Sequence, residues 1–246
     1  MASASHSFPH TTVVSERLFF LAMCVLIFAG VFYGFRSDYV VAGPHFFPFA
    51  TWLVYIHAAF FSAWMILLVA QATLVSAGRV VWHRHLGLAG FFLACAMPVL
   101  GAVVATGLFA RNDGPPGVDP WVLYYQSVAS MVAFPLLVYF AFRYRHSPPS
   151  HKRLILLATL VIAEAGTFRW PVRWVHEFSH GVSIVTYSFL LLLVLFDFYS
   201  RRKIHPATLC GGLFLIFYEE TGRFIGRSHA WHAAAAWIVH FWPKSN

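Results

Sequence analysis

The chain alternates between long apolar runs and short polar connections, most of them basic. Residues 18–35, 50–76, 86–109, 121–142, 154–168 and 175–199 each read as a helix, as does a run from residue 207 to the acids at 219–220. A bilayer is crossed by roughly 20 apolar residues at ~1.5 Å rise each, so the pattern predicts an all-α bundle of about seven transmembrane helices. Residues 230–242 are too short to span and carry Trp, which suits a helix lying in the interface. Residues 1–16 are rich in Ser, Thr and His and read as a mobile cytoplasmic tail.

The run 50–76 carries the most informative pattern. Along it His57, Trp64, Gln71 and Gly78 recur at heptad spacing, which places an imidazole, an indole and an amide on one stripe. A polar stripe faces lipid only at high cost, so it is expected to face the bundle interior and organise it. The run ends in Arg79, His83, Arg84 and His85, a basic turn that marks a membrane face. The next run holds Gly87, Gly90, Ala94 and Gly101, small residues that let a neighbouring backbone approach, and Pro98, which is expected to kink it. The stretch RNDGPPGVDP at 111–120 is the clearest break in helical pattern.

Composition sharpens this picture. Apolar residues make up 59% of the chain and charged residues 11%, far from the balance of a soluble domain. The 246 residues form a single transmembrane domain. A net charge of +8 would suggest nucleic acid in a soluble protein. Here Lys and Arg sit at helix ends, so the charge is assigned to topology and headgroup contact, with the lipid bilayer as partner and no nucleic acid. Cys24, Cys95 and Cys210 lie inside apolar runs and form no disulfide framework and no haem-attachment motif. With the N-terminus in the cytoplasm, the cytoplasmic connections hold Arg17, Arg79, Arg84, Arg143, Arg145, Lys152, Arg153, Arg201, Arg202 and Lys203. The opposite face holds the smaller set Arg36, Arg111, Arg169, Arg173, Arg223 and Arg227, which supports that orientation.

Three stretches, GRVVWHRHLG, HKRLILLAT and DFYSRRKIHPAT, resemble a family of uncharacterised bacterial multi-spanning membrane proteins. The resemblance covers most of the second to seventh predicted helices. It implies the helical-bundle fold and a bacterial plasma (inner) membrane, and it carries no activity.

Histidine is the conspicuous chemical residue, with 14 in the chain against 9 acids. Haem b held between helices needs two neutral imidazoles facing each other across the iron. His57 with His180 would supply an outer pair and His85 with His151 an inner one, with Arg79, Arg84 or Arg169 at the propionates. This predicts a b-type haem redox or electron-transfer component. A second constellation, His176-Glu177-Phe178-Ser179-His180, matches H-E-x-x-H, in which two His one turn apart bind zinc and the Glu activates its water. It predicts a zinc-dependent intramembrane hydrolase with Glu177 catalytic and Glu219 or Glu220 as third ligand beside His176 and His180. The motif is similar to that of site-2-type proteases, but their second, aspartate-bearing motif is lacking. The intramembrane acids Glu164, Glu219 and Glu220, near Arg169 and Arg223, form a third feature. They would serve as ion pairs, or line a polar cavity in a transporter or in an accessory subunit of a larger membrane complex.

Overall fold

A computed structural model describes residues 10–36, 52–114, 117–177 and 180–242. The described residues form nine helices: α1 His10–Arg36, α2 Trp52–Ser76, α3 Val80–Ala110, α4 Pro120–Arg143, α5 Pro148–Thr167, α6 Arg173–Glu177, α7 Gly181–Arg201, α8 Pro206–Gly226 and α9 His229–His240. Five of them, α1, α2, α3, α4 and α7, are long and apolar enough to cross a membrane. The described residues are thus all-helical, and the protein is a multi-pass membrane protein.

The helix at the centre is α5, not α2. It packs against α1, α4, α7 and α8, and its residues Leu154, Leu156, Leu157, Ala158, Leu160 and Val161 are buried. An apolar helix buried on all sides is what an element surrounded by other helices requires. The stripe on α2 does face inward: Trp64 is buried, donates its indole N–H to Thr159 Oγ1 of α5 at 3.2 Å, and meets the Phe134 ring edge-on.

Small residues set the closest approaches. A Cβ at Gly166 of α5 would lie 2.7 Å from Val31 Cα of α1, and one at Gly34 would strike the Gly166 carbonyl. On α3, Gly90 faces Leu67 of α2 and Gly101 faces Met131 of α4, so the expected small-residue face serves two neighbours. On α8, a Cβ at Gly226 would lie 2.9 Å from Val122 Cα of α4. The α3 helix starts six residues before the apolar pattern suggested and runs on through Pro98.

One end of the bundle is locked by charge. Lys152 Nζ meets Glu16 Oε1 at 2.7 Å, tying the start of α5 to the start of α1. Arg153, wholly buried, donates from Nε to Asp197 Oδ1 of α7 at 3.0 Å and from Nη1 to the Pro149 carbonyl at 2.8 Å. The other Asp197 oxygen, Oδ2, accepts from the His205 backbone N–H at 3.0 Å and from Thr208 Oγ1 at 2.6 Å. A buried ion pair is tolerated only when its remaining lone pairs and protons are met, and here the carboxylate is saturated.

Candidate functional site

The predicted helix over residues 175–199 is divided in the structure between α6 and α7. His176 and Glu177 belong to the one-turn α6, whereas His180 precedes α7 with φ −112° and ψ 14°, outside helical geometry. Gly181 sits so close to the Val175 backbone that a Cβ there would lie 2.6 Å from its Cα, so the chain folds back at this point. The H-E-x-x-H motif requires one continuous helix to bring its two imidazoles together. Instead His176 Nε2 meets the Trp170 carbonyl at 2.8 Å. The Glu177 side chain, Phe178 and Ser179 lie outside the described residues.

His180 turns toward α8. Its Nδ1 accepts from Arg223 Nη2 at 2.6 Å and lies 3.7 Å from Glu220 Oε1. An imidazole nitrogen that accepts from a guanidinium has spent its lone pair, and the adjacent cation opposes a metal ion. Among the described residues no group of three or more His, Cys, Asp or Glu is arranged to hold a metal ion.

The outer histidine pair is carried by helices with different neighbours. His57 lies on α2, which packs against α1 and α3, while α7 packs mainly against α5, α6 and α8. The His57 ring stacks on Phe61 at 4.2 Å, and its buried Nδ1 meets no partner among the described residues. In the inner pair, His85 is exposed and His83 takes the inward position, its ring centre 6.3 Å from that of His151. Arg79 and Arg84 are exposed, and Arg169 lies 4.3 Å over the Phe35 ring while donating to the Ala165 carbonyl.

What the fold does gather is carboxylates. Near the end of the bundle away from the Arg153–Asp197 pair, α4, α5, α7 and α8 bring Glu164, Glu219 and Glu220 into one polar seam. Glu164 accepts from Gln126 Nε2 at 3.3 Å and Thr186 Oγ1 at 3.5 Å. Glu219 Oε2 accepts from Ser183 Oγ at 2.9 Å. Glu220 Oε1 accepts from the Tyr187 hydroxyl at 2.5 Å and its Oε2 from Arg223 Nη2 at 3.0 Å. The expected pairing of Arg223 with the acids of α8 is therefore made at Glu220.

Burial grades along this seam. His180 is exposed and Glu220 and Arg223 are partly exposed, whereas Glu219 retains 6% of its surface and Ser183 and Thr186 are equally enclosed. Glu219 Oε1 is buried and meets no donor among the described residues. A buried carboxyl oxygen without a donor is costly, and the least demanding way to satisfy it is a proton or a bound cation. Chemically, the seam is a rim of charged groups leading to an enclosed carboxyl with spare capacity.

Sequence reasoning reached Glu164, Glu219, Glu220 and Arg223 but missed the α7 side. The signal was present. Ser183, Thr186 and Tyr187 stand at i, i+3 and i+4, one polar stripe in the first half of α7. Comparison with protein-family models, curated proteins and solved structures finds no match to this chain.

Proposed function

We propose that the protein is a membrane transport component that takes a proton or a small monovalent cation into the Glu219 seam. The observation that carries this reading is the buried Glu219 carboxyl of α8, with one oxygen held by Ser183 of α7 and the other lacking a donor among the described residues. Ionisable groups inside a membrane are costly and mark ion pathways when they line a protected seam. The rim of His180, Glu220 and Arg223 would exchange protons or cations with the adjacent aqueous phase, and Glu219 would be the deeper acceptor.

The same reading takes α5 and α8 as spans beside the five apolar ones, which restores seven. Their charges, Arg153, Glu164, Glu219, Glu220 and Arg223, turn inward or toward helix ends, where neighbouring helices replace lipid. The basic connections at the Arg153 end then face the cytoplasm of a bacterial inner membrane, with the start of α1 on that side and the carboxylate rim on the other.

The test is ion flux into liposomes holding purified protein and a pH-sensitive dye, driven by an imposed potassium potential. Wild-type protein is expected to admit protons or a monovalent cation well above empty liposomes, and Glu219→Gln to lose at least tenfold. Wild-type flux equal to that of empty liposomes, for protons and for monovalent cations alike, overturns the proposal.

A further inference from the structure

A second polar site lies at the opposite end of the bundle, where α2 and α3 meet the start of α5. His151 Nδ1 lies 2.8 Å from the Ala141 carbonyl. A carbonyl only accepts, so Nδ1 carries the hydrogen and Nε2 keeps its lone pair. This is the arrangement by which a backbone carbonyl fixes the tautomer and direction of a metal-binding imidazole. Facing it is His83, whose buried Nδ1 has no hydrogen-bond partner among the described residues. A third buried atom, Gln71 Oε1, is equally without a partner, and the Gln71 amide lies 3.5 Å from where a Cβ on Gly87 would be, one helical turn along α3 from His83.

The spacing of the two rings leaves room for one metal ion between them. Two imidazoles on opposite sides of one metal, with ~2.0 Å bonds and ~1.1 Å from nitrogen to ring centre, stand about 6.2 Å apart. The observed separation is 6.3 Å, with the rings at 82° to each other. The surroundings select the ion. Among the described residues no third His, Cys, Asp or Glu joins the pair to make a metal-binding group, so a zinc ion would lack its usual four strong ligands. Imidazole suits copper, and cuprous copper accepts two nitrogens in line.

We propose that His83 and His151 form a two-imidazole site for cuprous copper, with the Gln71 amide oxygen beside it. The site is separate from the carboxylate seam and stands or falls independently of it. Unlike the sequence-based pairing, it uses His83, since His85 points away from the bundle.

The test is an anaerobic titration of the detergent-purified full chain with cuprous ion against a chromogenic competing chelator. Wild-type protein is expected to hold one equivalent, with His83→Ala and His151→Ala each weakening retention at least tenfold and His85→Ala leaving it unchanged. His83→Ala is the decisive variant, and unchanged thermal unfolding will show the fold intact. X-ray absorption of the loaded protein is expected to show two nitrogen neighbours. No retention by wild type, equal retention by His83→Ala, or a Soret band that places haem iron on these histidines would overturn the proposal.

Discussion

Arg153 and Asp197 lie 44 residues apart on α5 and α7, and neither side chain exposes any surface. Their contact joins the central helix to the exit of α7, and Asp197 passes it on to α8 through Thr208 and the His205 backbone. Removing one partner of such a pair leaves an uncompensated charge in the interior, which costs about 3–5 kcal/mol. Arg153→Ala and Asp197→Ala are each expected to lower the thermal unfolding temperature in detergent sharply. The double variant Arg153→Met with Asp197→Leu is expected to recover much of the loss, because the demand for a counter-charge disappears with the charge. Losses that simply add in the double variant would show that the pair is not coupled.

The junction of α1 with α5 depends on a missing side chain. A Cβ at Gly166 would meet the backbone of Val31, which cannot rotate aside as a flexible side chain would. Overpacking of this kind costs about 1–3 kcal/mol. Gly166→Ala is therefore expected to lower the unfolding temperature, while Gly114→Ala, with nothing within 4 Å of the added carbon, is expected to leave it unchanged. Equal behaviour of the two variants would count against the close approach.

Much of this architecture was legible from local pattern. The heptad stripe placed Trp64 inward, and the small residues of α3 marked its packing faces, because both depend on helical periodicity alone. The centrality of α5 was not legible. Arg153 sits in the string HKR, which reads as an ordinary positive helix end, and its partner is remote in sequence. The choice between His83 and His85 was lost to helix phase: two residues on one helix point roughly 200° apart, so the start of α3 at Val80 decides which one faces His151. The break inside the H-E-x-x-H stretch turns on how Gly181 packs against Val175, a contact that residue spacing does not disclose.

His205 should make stability sensitive to mild acid. It lies in the connection before α8 and its Nδ1 accepts from the Ala207 N–H at 3.1 Å, capping the helix with a neutral imidazole. Burial, followed by the charges of Arg153 and Arg201, holds its pKa below the ordinary histidine value, against an opposing pull from Asp197 and Glu16. A lowered folded value means that the unfolded chain binds the proton more readily. The stabilisation is thus complete above the unfolded value near ~6.5 and is lost as the pH falls below it toward the folded value. Loss of an N-cap costs about 1 kcal/mol. His205→Ser keeps a capping oxygen without the titration, so its unfolding temperature is expected to fall less than that of wild type between pH 7.5 and 5. Parallel curves would exclude His205 as the source.

The two buried carboxyls among the described residues, Asp197 and Glu219, should respond oppositely to a hydrophobic carbodiimide, which attacks protonated carboxylic acids in apolar surroundings. Asp197 accepts from Arg153, the His205 backbone and Thr208, so both its oxygens are held by donors and no proton is needed. Glu219 has Ser183 on one oxygen and no donor on the other among the described residues, and a proton there is what completes its hydrogen bonding. Glu220, held by Tyr187 and Arg223, resembles Asp197 in this respect. Peptide mapping after labelling is expected to place the adduct on Glu219, with Glu219→Gln abolishing it and Glu220→Gln leaving it in place. Ser183→Ala leaves Glu219 with still fewer donors and is expected to preserve or increase the labelling. An adduct on Asp197, or one that persists in Glu219→Gln, would show that the enclosed carboxyl is not the proton-bearing group.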